Sequence, residues 1–366
     1  MKKAIIFTYK HSNYGAVLQC YALYHYLSSR LNLDVKVLDY TTQEHLESDK
    51  IIKKRSSNIL KNLILMFLSW FRYIPLRKRI IRTRLFKNKF IPFTRRYSNP
   101  SEVITDPPTA DIFITGSDQV FNINSNNRDV YFLNFPKKES KKIAYSPSFG
   151  TNEFSNDVKE SIKSYIADFD ALSCREDDGA LLLSDLSGKK IQTTLDPTLL
   201  LKPNDWLQIA VKPSYNKDYI LIYDLNGKEN LITIAKRIQE QTKLRIVCIT
   251  DKIEKFYHID KQIYSAGPAE FVGLFANASY VVTDSFHGTI FSIQFHKPFY
   301  TYIAIEKSSS RISSLLSKLN LSKRILRKKD ISSFNPESID FKEPETRLLD
   351  LRQASESFLA SNCNYL

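Results

Sequence analysis

Two α/β domains facing each other across a cleft are the architecture this sequence predicts, and three observations carry the prediction. Short apolar runs alternate with helix-like stretches along most of the 366 residues. The alternation halts at a polar, proline-bearing stretch from Lys202 to Asp218 and then restarts. The length suits two domains at roughly 100 to 200 residues each.

The elements follow in order. Residues 4–9 (AIIFTY) read as a strand, the polar stretch 10–15 as a loop, 16–29 as a helix and 35–40 (VKVLDY) as a second strand, a βαβ opening. Further short strands are read at 111–115, 142–146, 171–173 and 191–195, with helical patterns at 156–169 and 177–186. Such alternation predicts a mostly parallel sheet covered by helices on both faces. Beyond the boundary come a strand at 219–223, a helix at 229–242, a strand at 245–249 and a helix at 268–278. Pro268 suits the first turn of that last helix, and Phe271, Leu274, Phe275 and Ala278 share one of its faces. A strand at 280–282, a polar loop at 284–288, a helix at 289–295 and a strand at 299–303 complete the second half, and the tail reads as a closing helix. The expected boundaries are 1–205 for the first domain, 206–345 for the second and 346–366 for the closing segment.

Charge is localised. Lys and Arg number 53 against 39 Asp and Glu, an excess of +14. Residues 51–97 hold fourteen Lys and Arg and no acidic residue, which accounts for the whole excess. The same segment carries the run from Leu63 to Phe71 with Trp70, too short and too interrupted to span a bilayer. Basic residues interleaved with Trp and Phe suit an anionic membrane surface. Nucleic acid competes for such a patch, but an apolar run of this density has no place in a groove, so no nucleic-acid partner is expected. The other reading is a helical hairpin packed on the domain with solvated cations.

Cys20, Cys174, Cys248 and Cys363 lie far apart, and no Cys or His spacing suggests a metal site. The N-terminus MKKAIIFTY runs straight into a strand, and no secretory signal is read there. A cytoplasmic location with reduced thiols is the expectation. The chain lacks GxGxxG after the first strand and lacks GxxxxGK[ST], so nicotinamide and phosphate-loop chemistry are not expected.

The most informative segment is Val281 to Phe299, VVTDSFHGTIFSIQFHKPF, which sets His287 between a strand end and a helix start. Ligands of open α/β sheets gather beyond the carboxyl ends of strands, and helix-start N–H groups attract anions. Ser285, Gly288 and Thr289 share this loop, Gly288 permitting close backbone approach. His287 read alone is equally a cap or a packing residue.

That segment with the preceding GPAEFVGLFANASY, together with SNYGAVLQCYAL, TGSDQVFN, SPSFG, SCREDDG and LDPTLLL, resembles the polysaccharide pyruvyl transferase family. The resemblance runs from the first strand to about Leu321. It implies two Rossmann-like domains in the manner of GT-B glycosyltransferases, with no cofactor and with phosphoenolpyruvate as donor. The implied reaction places a pyruvyl ketal on a hexose of a cell-surface polysaccharide. It places Arg175 near the donor and gives His287 the phosphate contact or the acid role. Some relatives carry an arginine two residues before this histidine, where this chain has Ser285.

Such a transfer needs cations for carboxylate and phosphate, an acid for the methylene carbon and an acceptor for the hydroxyl protons. Arginine forks grip both anions in pairs. Arg175 follows a strand end, and the exposed alternative is an arginine paired with Glu176 or Asp177. Arg311, behind Ser308 to Ser310, is the candidate to replace the missing cation, or else a solvated first-turn residue. Asp118 can orient or deprotonate an acceptor hydroxyl, or cap a turn. The catalytic set is thus His287, Arg175 and Asp118. The donor set is Ser285, Gly288, Thr289, Arg311 and Gly267. The acceptor set is Asn13, Tyr14, Gly15, Gln19 and Gln119. Asp196 reads as a structural strand end.

The expected partners are phosphoenolpyruvate, a lipid-linked oligosaccharide or glycan acceptor, and an anionic membrane surface met through 51–97 at the inner face of the cell membrane. Two rivals stand: a GT-B glycosyltransferase using a nucleotide sugar, and a non-catalytic, membrane-attached carbohydrate-binding protein for which Ser285 would be the symptom.

Overall fold

The computed structural model describes residues 1–10, 13–42, 59–123, 128–135, 139–151, 153–215, 218–225, 228–251, 258–304 and 310–364, with backbone alone for 59–73, 228 and 364. His11, His45, Lys53, Lys54, Arg55, Ser308 and Ser309 lie outside the described residues, as do the side chains of Lys61, Arg72 and the run from Leu63 to Phe71 that includes Trp70.

The first half comprises β1 (Lys3–Phe7), α1 (Tyr14–Ser29), β2 (Asp34–Tyr40), α2 (Ile59–Phe90), β3 (Phe93–Tyr97), α3 (Pro100–Thr105), β4 (Ile112–Thr115) and α4 (Arg128–Tyr131). It continues with β5 (Lys141–Ala144), α5 (Asn156–Ile166), β6 (Ala171–Cys174), α6 (Asp177–Ser187), β7 (Gln192–Thr193) and α7 (Pro203–Leu207). The second half comprises β8 (Tyr219–Tyr223), α8 (Lys228–Thr242), β9 (Arg245–Ile249), β10 (Lys261–Ile263), α9 (Pro268–Ala276) and β11 (Tyr280–Thr283). It ends with α10 (Phe286–Gln294), β12 (Phe299–Tyr302), α11 (Ser310–Lys318), β13 (Ile325–Leu326) and α12 (Lys342–Asn364).

Two sheets result, ordered β3-β2-β1-β4-β5-β6-β7 and β10-β9-β8-β11-β12-β13, and every pairing in them is parallel. Both follow the doubly wound plan, in which the order reverses beside the first strand and a crevice opens there. The apolar runs of β4 and β8 are buried along their whole length, as helices on both faces require. One hydrophobic cluster runs through both halves. Within it Tyr14 of the first stacks on Phe271 of the second at 4.6 Å, and Trp206 meets Phe291 edge-on at 4.9 Å.

Several boundaries depart from the sequence expectation. The loop expected at 284–288 is short, because Ser285 caps α10 by accepting a hydrogen bond from the Gly288 N–H at 3.3 Å. His287 therefore lies in the first helical turn. The closing helix starts at Lys342, and the short strands β3, β10 and β13 had no clear periodicity to announce them. Four cysteines are buried thiols.

The basic insert is not a hairpin among the described residues: α2 is one helix of 32 residues containing Pro75. Its C-terminal part belongs to the folded body, with Thr83 and Phe86 buried and β3 paired to β2. Pro75, Arg79, Arg82 and Phe86 recur at helical spacing on the inward side. Arg79 pairs with Asp251 at 3.7 Å, and Arg82 pairs with Glu270 at 3.1 Å while donating to the Ser265 carbonyl at 2.6 Å. A helix inserted in the first domain is thus strapped to the second. The opposite side exposes Arg77, Lys78, Ile81, Arg84 and Leu85.

Candidate functional site

The carboxyl ends of β4, β6 and β7 face the loop after β11, and a buried ion cluster forms where they meet. Asp196, wholly buried, is its middle. Its Oδ1 accepts from the Thr198 N–H at 3.0 Å and the Thr198 hydroxyl at 2.6 Å. Its Oδ2 accepts from Arg175 Nη1 at 2.9 Å and from the Ser117 hydroxyl at 3.2 Å, and it faces His287 Nε2 at 3.6 Å. Arg175 also pairs with Glu176 at 3.2 Å and stands 3.6 Å from Asp118 Oδ1. Asp196 of the first domain, paired with Arg175 and through it linked to Asp118, thereby meets His287 of the second.

The electrostatics follow from this packing. Burial alone would raise the Asp196 carboxyl, but the facing His287, the Arg175 guanidinium and the Thr198 hydroxyl hold it well below the usual carboxylate range. Burial works against the Arg175 charge, and Glu176, Asp196 and Asp118 overcome it, so the guanidinium stays protonated. Arg311 lies nearby, its charge disfavoured first by burial and then by Arg175. Both guanidiniums flank the Phe286 ring, Arg175 at 4.7 Å and Arg311 at 5.8 Å from its centroid. Arg175, Asp196, Phe286, Arg311 and Lys318 line one pocket.

Two nitrogens in this cluster, Arg175 Nη2 and His287 Nε2, are shielded from solvent and make no hydrogen bond among the described residues, each facing a carboxylate at 3.6 Å. A buried donor left unsatisfied costs about 1 to 3 kcal/mol. An anion between Arg175 and Arg311 would relieve the repulsion between the two arginines.

The remaining residues divide. Gly15 lies directly under His287: a Cβ there would come within 2.1 Å of the ring Nδ1. Asn13 is exposed and caps α1 by accepting from the Gly15 N–H at 2.8 Å. Tyr14 and Asn13 line a polar pocket of about 190 Å³ with Arg79, Asp224, Thr250 and Asp251. Tyr14 itself is buried, and its hydroxyl is spent on the Ala266 carbonyl at 2.8 Å. Gln119 is half buried against Gly150.

Five expected roles give way to structural ones. Gln19 is fully buried, its amide donating to Thr8, Tyr9 and Ala16 and its carbonyl accepting from the Ser117 N–H, so it ties first-domain loops together and offers no group to an acceptor. Thr289 is buried with its hydroxyl shared between the Ser285 carbonyl and Thr301. Ser285 spends its hydroxyl on the helix cap. Gly267 lies under α2, where a Cβ would strike Arg82, so its smallness serves helix docking. Gly288 is confined similarly by Thr283.

Asp196 is what sequence reasoning missed. An Asp before Pro at a strand end looks like any turn former, and only the fold brings it to Arg175 and His287. Among the described residues no group of three His, Cys, Asp or Glu could hold a metal ion.

A family model described as polysaccharide pyruvyl transferase matches residues 13–305. A search of curated proteins by sequence found no match. Among solved structures, the UDP-GlcNAc 2-epimerase of Methanocaldococcus jannaschii in complex with UDP-GlcNAc and UDP has a TM-score of 0.50 at 15% identity, covering 96% of this chain and 100% of that one. A putative UDP-N-acetylglucosamine 2-epimerase from Listeria monocytogenes has a TM-score of 0.48 at 9% identity, covering 99% and 91%. Arabidopsis thaliana UGT89C1 complexed with UDP-L-rhamnose has a TM-score of 0.48 at 12% identity, covering 97% and 94%. At such identity the M. jannaschii structure speaks for the fold alone, two Rossmann-like domains in the GT-B manner.

Proposed function

The chain belongs to the polysaccharide pyruvyl transferase family, and from that premise we propose that it transfers the pyruvyl group of phosphoenolpyruvate to a hexose as a ketal, in the assembly of a cell-surface polysaccharide on a lipid-linked precursor. The observation that supports this reading best is the pair Arg175 and Arg311, which line one pocket and flank Phe286, with His287 following Phe286 in sequence and facing the Arg175 partner Asp196. A substrate with both a carboxylate and a phosphate is what two arginine forks and an imidazole suit.

In the proposed reaction, Arg175 and Arg311 hold the donor's anionic groups. His287 is the acid toward the methylene carbon or the phosphate's hydrogen-bond donor. As the methylene carbon gains a proton, positive charge develops at the adjacent carbon, and an acceptor hydroxyl attacks it. A second hydroxyl then displaces phosphate. One hydroxyl proton ends on the methyl group and the other on the departing phosphate, so the exchange balances. Asp118, partly exposed and 3.6 Å from Arg175, is the base candidate for the acceptor. Asp196 acts through Arg175 and His287, fixing both.

The acceptor's place is the 190 Å³ polar pocket bounded by Asn13 and Arg79. Arg77, Lys78 and Arg84, with exposed Ile81 and Leu85 between them, support a peripheral seat on an anionic inner leaflet. Among the described residues no helix is long and apolar enough to cross a membrane.

Thermal shift with phosphoenolpyruvate against a panel of nucleotide sugars tests the donor, since a ligand selective for the native state raises the melting point. A shift with phosphoenolpyruvate that is lost in His287→Ala supports the reading. A shift with a nucleotide sugar alone, or with none of these ligands, overturns it.

A further inference from the structure

A third cavity lies under the Pro75 turn of α2, with a volume of about 420 Å³. We propose that it binds the phosphate and first isoprene units of a prenyl-phosphate lipid. The proposal rests on the lipid-linked reading above and adds to it a site for the anchor.

The lining has two characters. Pro75, Ile263 and Leu274 give apolar wall, while Arg82, Lys212 and Lys261 give three cations, with Glu270 the one carboxylate among the lining residues. That carboxylate is already engaged by Arg82 and by the Gly267 N–H. Tyr215 also lines the cavity, and its hydroxyl is shielded from solvent with no hydrogen-bond partner among the described residues. Lys261 Nζ stands 5.3 Å from the centre of the same ring. Free phosphate would leave the apolar wall in water, and a neutral lipid would cover the cations without pairing them. An anionic amphiphile satisfies both.

Position singles out the anchor of a lipid-linked sugar. Pro75 and Arg82 line this cavity, and Arg79, on the same side of α2, lines the 190 Å³ polar pocket. Between the two lies the hydrogen bond from the Tyr14 hydroxyl to the Ala266 carbonyl, Tyr14 belonging to one pocket and Ala266 to the other. A sugar in the polar pocket therefore has its lipid phosphate next door, under the helix whose outer side is basic and apolar.

The test is calorimetric binding of farnesyl phosphate to the full-length protein, below the concentration at which the lipid aggregates, with farnesol and inorganic phosphate as the two other ligands. Farnesyl phosphate is expected to bind at least about tenfold more tightly than either, each lacking one of the two interactions. Lys212→Glu with Lys261→Glu is expected to weaken it by at least about tenfold. These lysines are on the linker and on β10, away from the outer side of α2, so adsorption to that helix does not mimic the result. Arg77→Glu with Arg84→Glu should leave farnesyl phosphate affinity unchanged. Equal affinity for farnesol or phosphate, wild-type affinity in the Lys212 and Lys261 variant with unchanged melting point, or loss only in the Arg77 and Arg84 variant overturns the proposal. Because no donor is present, farnesyl phosphate binding without any phosphoenolpyruvate shift would sink the pyruvyl reading and leave this site standing, and the reverse outcome would do the opposite.

Discussion

His287 of the second domain rests on Gly15 of the first, so closely that no side chain at position 15 fits without moving the imidazole. The contact couples the helix that opens the chain to the histidine that the family resemblance singles out. The imidazole's place thus depends on the two domains meeting in one register.

Gly15→Ala is expected to displace the ring and lower turnover by about 100-fold, the usual penalty for an ångström of misplacement. The melting point should fall little, because alanine is the better helix former. Turnover on any acceptor that the wild type uses, together with phosphoenolpyruvate affinity, checks this. Wild-type turnover in the variant would remove the contact from the catalytic argument.

Asp196→Asn is expected to destabilise the protein at neutral pH by about 3 kcal/mol, because it leaves the buried Arg175 charge without its nearest carboxylate. The wild-type carboxyl is depressed in the folded state. It therefore contributes stability at pH above its unfolded value of about 4, and the contribution is lost as pH falls further. Denaturant melts across pH should show a shallower acid limb in the variant. Parallel limbs would show that Asp196 carries no depressed proton affinity.

Arg175→Lys and Arg311→Lys are each expected to weaken phosphoenolpyruvate binding by about 1.5 to 3 kcal/mol, since an ammonium cannot reproduce a forked contact. Calorimetry with the donor alone reads the effect. Unchanged affinity in Arg311→Lys would mean that nothing replaces the cation absent at Ser285, and the non-catalytic rival would gain.

The outer side of α2 should hold the protein on phosphatidylglycerol vesicles, each cation near the surface adding about 1 kcal/mol and fading as salt rises. Co-sedimentation should drop for a variant with Arg77, Lys78 and Arg84 replaced by Ser, while phosphoenolpyruvate binding stays. Arg79 and Arg82 must be left alone, because they tie α2 to Asp251 and Glu270 and their loss would loosen the fold. Equal sedimentation of variant and wild type would end the membrane reading.

The two doubly wound halves were legible because buried parallel strands such as β8 write themselves as uninterrupted apolar runs. His287, Arg175 and Asp118 were legible as residues at strand ends, and the fold brings them to one cluster. Asp196 was not, since its chemistry comes from neighbours 21 and 91 positions away in sequence. Gln19 and Thr289 misled for the converse reason: polar residues on the helices that follow strands can spend every hydrogen bond on the scaffold, and sequence does not reveal which do. The basic insert reads either as a membrane-facing surface or as a packed hairpin, and it has both an exposed basic face and an inward face whose arginines bridge domains.

The final helix, α12, crosses back to the first domain, where its Ser355 hydroxyl accepts from the Leu195 N–H at 2.9 Å and Arg352 donates to the Leu199 carbonyl at 2.7 Å. The domains are therefore joined by two covalent strands of chain, near residues 208–218 and 327–341. A body pinned at two points keeps one easy rotation, about the line through the pins, and resists twist and slide. Any relative rotation of the domains would follow that line, and Arg175 and His287 would keep one alignment along it. The C-terminal residues, remote from the site in sequence, serve as one of its bearings.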